Sequence, residues 1–445
     1  MDKMQKRTTH YPFLQKPVVI FERECGHKIV LAYKEGGLVN VSTWVKTGSI
    51  NENDKNTGIS HFLEHLMFKG TEKHPAGEFD KTLEAKGAIV NAATWKDYTF
   101  YYVTLPKGPD DKYFDLALEL HADMMLGPVI PPQEIGEPFD LKDTNISVKR
   151  ERHVVIEEIR MREDQPWTKT YNELNHNMYT SHPYKRDVIG EAEIIASIPR
   201  ETILEYYTKH YTPNKMTTII VGDFDFDKVA DKVANAFDFK GRENSQIEKY
   251  EIDEPTQTTK YLENKANTNT AFVMFGYLGP KATELKDSII LDIIGIVLGE
   301  GQSSRLYQNL IEKSQEPIFN IVSCDYYNFR DGGNFFVQAN YKPEHKETAI
   351  NLLKEQIAGI YNEPISEKEF KKAIKKLKAR FADSSETVSE IAETIGYYMT
   401  VCDGLELVDQ YLEVLESITI EDVLEASKKY LDLNKATVSI LMPQD

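Results

Sequence analysis

Ser197-Ile198-Pro199-Arg200-Glu201-Thr202-Ile203-Leu204-Glu205 returns further along the chain as Ser417-Ile418-Thr419-Ile420-Glu421-Asp422-Val423-Leu424-Glu425. On the same offset of 220 positions (197 to 417, 214 to 434), Asn214-Lys215-Met216-Thr217 returns as Asn434-Lys435-Ala436-Thr437. Each copy reads as a capped amphipathic helix, a short polar turn and an apolar strand, the strands being Met216 to Val221 and Ala436 to Met442. Solenoid repeats recur every ~20–50 residues, so a period near half of the 445-residue chain means a duplicated domain.

Outward from the repeat, strand-like and helical blocks follow one another in both halves. Val39 to Val45 and Thr99 to Leu105 are rich in β-branched and aromatic residues, and Thr270 to Tyr277 and Asn334 to Tyr341 answer them in the second half. Helical periodicity runs over Lys112 to Leu126, Ser147 to Arg162, His345 to Tyr361 and Ser366 to Ala382. This order predicts an α+β layer architecture in each half. The polar stretch Lys240 to Gln257 reads as the linker, so the expected domains are 1–239 and 258–445, joined by 240–257.

The chain carries 53 basic and 71 acidic residues, a net charge of −18, which argues against a phosphate-binding surface and hence against nucleic acid as a partner. Cys25, Cys324 and Cys402 lie far apart, so neither a disulfide framework nor a thiolate zinc site is indicated. Met1 to Phe13 is charged and polar, and no apolar stretch approaches the ~18 residues of a membrane span. A soluble cytoplasmic protein is the expectation; a leader removed in processing would point to the periplasm instead.

Thr57 to Thr71 reads Thr-Gly-Ile-Ser-His-Phe-Leu-Glu-His-Leu-Met-Phe-Lys-Gly-Thr. At ~100° per residue, Ile59, Phe62, Leu63, Leu66 and Met67 form one apolar stripe, with His61, Glu64 and His65 on the opposite face. Imidazoles one helical turn apart can share one Zn²⁺ at about 2.0–2.1 Å. Glu64 then faces the open side of the metal, where it can take a proton from a bound water whose pKa zinc lowers toward about 7. A plain His-x-x-x-His pair reads as a solvated helix face. Glu in the inverted His-x-x-Glu-His arrangement moves the reading to a metal site, the inverzincin pattern. Two histidines leave zinc short of a protein ligand, so a third donor is required.

Ser147 to Arg162 offers it. Lys149, His153, Glu157 and Arg160 gather on a charged side, and Val154, Val155, Ile159 and Met161 mark the apolar side. Glu151 and Glu158, nearly in register, fall with the apolar residues. A buried carboxylate needs a cation: zinc for one of them, with a supporting hydrogen-bonded role for the other, or else a buried Arg or Lys. The helical wheel leaves Glu151 and Glu158 equivalent.

With these residues the chain resembles the pitrilysin and insulinase peptidases, the M16 family. The likeness rests on His-Phe-Leu-Glu-His-Leu-Met-Phe-Lys-Gly-Thr at 61–71, Asn-Ala-Ala-Thr at 91–94 and Glu-Arg-His-Val-Val-Ile-Glu-Glu-Ile at 151–159. His-Pro-Tyr at 182–184, Val-Ile-Gly at 188–190 and Tyr-Thr-Pro-Asn at 211–214 add to it. The resemblance implies two related α+β domains, each an antiparallel sheet packed on helices, that face another such pair around a peptide-digesting chamber. It implies that Glu158 binds zinc while Glu151 supports the site. It also implies that Asn91 and Ala92 lie on an edge strand to which a peptide adds, and that Phe68 lines the pocket beside the scissile bond.

The chain departs from the family pattern in two places. The interval between His65 and Glu158 is long, and Pro131 to Ser147, rich in Pro, Gly and acids, reads as an inserted surface loop. Where the family has an Arg and, seven residues on, a Tyr that touch substrate and oxyanion, this chain has Ile311 and Ile318 or Phe319, none of which donates a hydrogen bond. The chain thus resembles the zinc-bearing half of a two-subunit peptidase whose partner, a homologous chain, supplies Arg and Tyr. The expected function is zinc-dependent endopeptidase cleavage of peptides or unfolded segments, full activity requiring such a dimer. The alternatives are a structural subunit and a zinc-dependent peptide holder.

Overall fold

A computed structural model describes residues 3–142 and 150–444. It contains a sheet of seven strands in the order β1-β2-β3-β7-β4-β6-β5 and one of five in the order β10-β11-β9-β12-β8. The first is built from β1 (Met4–Thr9), β2 (Val18–Arg23), β3 (Lys28–Tyr33), β4 (Leu38–Val45), β5 (Ile89–Thr94), β6 (Thr99–Pro106) and β7 (Met216–Gly222). The second is built from β8 (Lys260–Ala266), β9 (Ala271–Gly279), β10 (Phe319–Asn328), β11 (Gly333–Tyr341) and β12 (Thr437–Pro443). Pairing is antiparallel, as expected, apart from one parallel pair in each sheet, β3 with β7 and β8 with β12.

The duplication is exact in topology. The run β3-β7-β4-β6-β5 is repeated by β8-β12-β9-β11-β10, with β1 and β2 as additions to one edge of the first sheet. Register agrees: Trp44 of β4 lies opposite Thr217 of β7, and Gly276 of β9 lies opposite Thr437 of β12. Thr217 and Thr437 are the same position of the sequence repeat, so Trp44 and Gly276 are equivalent sites.

Contacts divide the chain into two units that are not contiguous in sequence. One comprises residues 1–160, 187–249 and 382–409; the other comprises 161–186, 250–381 and 410–445. The division at 249/250 falls inside the stretch expected as a linker, which carries neither helix nor strand. The contiguous split at 240–257 does not describe two segments, each of which packs with the sheet of the other half. The helix Val388–Val401 lies against β4 and β7, and the helix Pro166–Met178 lies against β9 and β12.

A reciprocal fit marks both junctions. A Cβ on Gly396 would stand 1.9 Å from the Trp44 indole, so the helix can lie on β4 only because that position is glycine. In the other unit the glycine is on the strand: a Cβ on Gly276 would stand 2.5 Å from Met178 Sδ and 2.9 Å from Leu174 Cδ2. One unit has the bulky group on the sheet, the other has it on the helix. Interchanging the two helices would set Leu174 and Met178 against Trp44 and leave a void over Gly276, a clash and a cavity that each cost roughly 1–5 kcal/mol.

The central strands are buried on both faces, as β4 and β7 show along almost their whole length, because helices cover both sides of the sheet. The two repeated helices span Arg200–His210 and Ile420–Tyr430. Only the second has the expected capping box, Thr419 with Asp422; Pro199 stands at the N-cap of the first and has no side-chain acceptor to offer. The described part of the expected insertion loop, residues 131–142, is more than surface. It holds the short helix Pro132–Ile135 with Ile135 buried, and Phe139 stacks on His153 at 4.6 Å between ring centres. Residues 143–149, and with them Lys149, lie outside the described residues.

Candidate metal centre

The helix Ile59–Met67 carries the histidines. Ile59, Phe62, Leu63, Leu66 and Met67 are all fully buried, so the apolar stripe fixes which face remains for chemistry. Its first turn is capped from a distance. Glu52 accepts hydrogen bonds from the N–H of Gly58 (2.8 Å) and of Ser60 (2.9 Å), placing a buried anion at the positive end of the helix. Gly58 has φ of +84°, and a Cβ on Gly190 would come within 2.4 Å of the Gly58 Cα. The Val-Ile-Gly stretch at 188–190 therefore seats the helix by backbone-to-backbone approach.

On the other face, the second helix, Glu151–Glu163, brings its carboxylates to the histidines. Glu158 Oε2 lies 3.7 Å from His61 Nε2 and 3.6 Å from His65 Nε2. One donor atom from each of His61, His65 and Glu158 falls within 4.8 Å of the others, the one such cluster among the described residues. Around a tetrahedral ion with bonds of about 2.0–2.2 Å, neighbouring donors stand roughly 3.4 Å apart, so the 3.7 and 3.6 Å separations of Glu158 from the two imidazoles suit zinc, and three protein donors leave a fourth position open. Glu151, equivalent to Glu158 on the helical wheel, stands behind the cluster: its Oε1 is 2.9 Å from His65 Nδ1 and its Oε2 is 2.6 Å from Lys69 Nζ. Geometry thus separates the two carboxylates, and the cation that meets Glu151 is a lysine.

Electrostatics follow from these contacts. Burial works against charge on His65, but the hydrogen bond to Glu151 and the carboxylates of Glu64 and Glu158 outweigh it and raise the imidazole pKa. Burial likewise opposes the ionised form of Glu151, yet its bonds to His65 and Lys69 hold its carboxyl below the usual range. Glu64 is driven the other way: burial raises its pKa, against the opposing influence of the Thr94 hydroxyl and His65. Thr94 Oγ1 donates to Glu64 Oε2 at 2.5 Å, so the end of β5 holds the carboxylate from the side.

The remaining sites expected from sequence lie close along the chain fold. Among the described residues β5 is an edge strand, paired with β6 alone. Asn91 is exposed on it, and its side-chain oxygen accepts from the Ala92 N–H at 2.9 Å, a donor left over by the ladder. Ala92 is half-buried and packs against the core. Phe68 ends the histidine helix, half-buried, with ring centres 6.1 Å from Phe79 and 6.0 Å from Tyr101.

Part of the wheel reading is corrected. Val154 and Met161, assigned to the apolar side, are 48% and 68% exposed, whereas Arg152 is fully buried among Val155, Ile156 and Ile159. Arg152 donates to the carbonyls of Ile195 and Ile198 and lies over the Phe62 ring, so it clamps the carboxylate helix in place. Burial brings its pKa down to about 10. Sequence reasoning also missed Glu52, Thr94 and Lys69. Thr94 had a signal, since period-two alternation from Ala92 points it toward the same helix.

Residues 28–192, which contain His61, Glu64, His65, Glu151 and Glu158, match the model of Insulinase (Peptidase family M16), and residues 197–377 match that of the Peptidase M16 inactive domain. The chain is 30% identical over 417 residues to the zinc protease PqqE of Helicobacter pylori, covering 92% of this chain and 88% of that one. It belongs to peptidase family M16. A zinc protease of Streptomyces coelicolor is 26% identical over 408 residues, covering 90% of this chain and 84% of the relative. Among solved structures, a protease from Helicobacter pylori superposes with a TM-score of 0.85 at 25% identity, covering 99% and 100% of the two chains. Within this M16 chain the donor cluster lies wholly in the half that matches the insulinase model. The half that matches the inactive domain has a single histidine after residue 258, His345, and so no second His-x-x-Glu-His.

Proposed function

We propose that this chain is a zinc-dependent endopeptidase, on the strength of the convergence of His61, His65 and Glu158 with Glu64 held beside them. In that reading the three side chains hold the metal, which when bound supplies acidification of a water and polarisation of the scissile carbonyl. Glu64 takes the proton from the attacking water and passes it to the leaving amine, first base and then acid. Burial raises its pKa and so makes it a stronger base than an exposed carboxylate, and Thr94 orients it. An extended peptide adds to the outer edge of β5 at Asn91 and Ala92, where the Asn91 side chain now occupies the Ala92 N–H, and Phe68 lines the pocket beside the cleaved bond.

The second half offers Ile311, Ile318 and Phe319 where an Arg and a Tyr would serve the oxyanion, and none of the three can donate. We therefore read the chain as one partner of a dimer whose other subunit brings those donors. Loss of one oxyanion donor costs about 10²–10³ in rate, so the isolated chain should cleave slowly and gain speed with a homologous partner.

Glu64→Gln tests the reading. Zinc should remain bound, since Glu64 is not among the donors, while hydrolysis of an unstructured peptide library falls by at least about 10². Turnover equal to that of the parent would exclude this mechanism.

A further inference from the structure

Lys69 lies just past the end of the histidine helix, four residues and so one turn after His65. Its backbone N–H closes the helix on the Leu66 carbonyl at 3.0 Å, which fixes where its side chain departs. Its ammonium is 2.6 Å from Glu151 Oε2, while the other oxygen of the same carboxylate is 2.9 Å from His65 Nδ1. The pair is largely withdrawn from water, with Lys69 at 27% and Glu151 at 12% side-chain exposure. Charge-assisted bonds in such surroundings are short and directional.

A carboxylate has two oxygens and can rotate about its Cγ–Cδ bond. Held by His65 alone, Glu151 could swing its free oxygen toward solvent and weaken its grip on the ring. Held at both ends, it has one orientation. That orientation requires the proton of His65 on Nδ1 and leaves the Nε2 lone pair facing His61 and Glu158. We propose that Lys69 is a positioning residue of the metal centre: by gripping the outer oxygen of Glu151 it locks the ring of His65 with Nε2 aimed at the cation. Lys69 touches neither metal nor substrate, and the inference rests on the metal-site reading above.

The test is zinc affinity of the full chain, by competition of the stripped protein against a chromophoric chelator. Partners one step removed from a metal typically carry about 10–100-fold in affinity, so Lys69→Met should weaken zinc by about that factor. Lys69→Arg, which keeps a cation within reach of the carboxylate, should recover most of it. Lys73→Met, which removes a lysine paired with Asp123 at 3.0 Å, should leave the affinity unchanged. Because Lys69 acts through Glu151, Lys69→Met combined with Glu151→Gln should bind no more weakly than Glu151→Gln alone, a non-additivity that a general loss of packing would not produce. Wild-type affinity in Lys69→Met, or full additivity with Glu151→Gln, overturns the role of Lys69 and leaves the metal site standing. A wild-type chain that takes up no zinc removes both.

Discussion

Replacing Thr94 by Val deletes one hydroxyl beside the proposed base and keeps the β-branched shape that suits β5. The deleted bond is Thr94 Oγ1 to Glu64 Oε2, at 2.5 Å. A hydrogen bond to a charged group contributes about 1.5–3 kcal/mol, and this one favours the ionised carboxylate, so its loss should raise the pKa of Glu64. The sign is clear from the forces already present: burial raises this carboxyl and Thr94 opposes that rise. Glu64 works as a base only when ionised. The acid limb of kcat/KM against pH should therefore move to higher pH in Thr94→Val, while Thr94→Ser stays near the parent. Stability shifts with the same sign. A carboxyl whose folded pKa is raised loses stability as pH rises from its unfolded value through its folded one, and Thr94→Val deepens that loss on the alkaline side. Zinc affinity should be unchanged, because Thr94 contacts none of the three donors. An acid limb that stays in place with activity intact would refute the assignment of Thr94 as the group that holds Glu64.

Gly396→Leu places a side chain where even a Cβ would stand 1.9 Å from Trp44; it should destabilise the fold by at least about 1–3 kcal/mol in chemical denaturation, and adding Trp44→Ala should recover part of the loss. Equal midpoints for the parent and the Gly396 variant would show that the reciprocal fit of the two exchanged helices is unimportant. Zinc bound only by the folded chain should raise the melting temperature with free zinc, by the equivalent of about 2.7 kcal/mol at a hundredfold excess over Kd. A melting temperature indifferent to chelation would argue that the three donors hold no ion.

Much of the candidate site was legible in the sequence, because a helix converts spacing into direction. Ile59, Phe62, Leu63, Leu66 and Met67 must share a side at 3.6 residues per turn, and all five are fully buried. The same arithmetic was less successful on the second helix. Exposure of Val154 and Met161, and burial of Arg152, reflect what neighbouring segments bring to it: the carbonyls of Ile195 and Ile198 satisfy the guanidinium there, and nothing in the local sequence announces them. Lys69 was inconspicuous for a similar reason. A lysine at a helix end is ordinary until a carboxylate 82 positions away along the chain (69 to 151) is found against it.

By itself the sequence determined that this protein is a duplicated α+β chain and that two imidazoles and a glutamate share one face of a helix. Both follow from periodicities, of half the chain and of one helical turn, which are properties of covalent order. Only the tertiary structure decided which of Glu151 and Glu158 faces the Nε2 atoms of both histidines and which backs the Nδ1 of His65 alone, and which sheet receives the helices Pro166–Met178 and Val388–Val401. Those outcomes depend on how bulk and glycine, or cation and carboxylate, meet across segments distant in sequence. Steric fit and Coulomb attraction act through space, and the chain folds until they are satisfied.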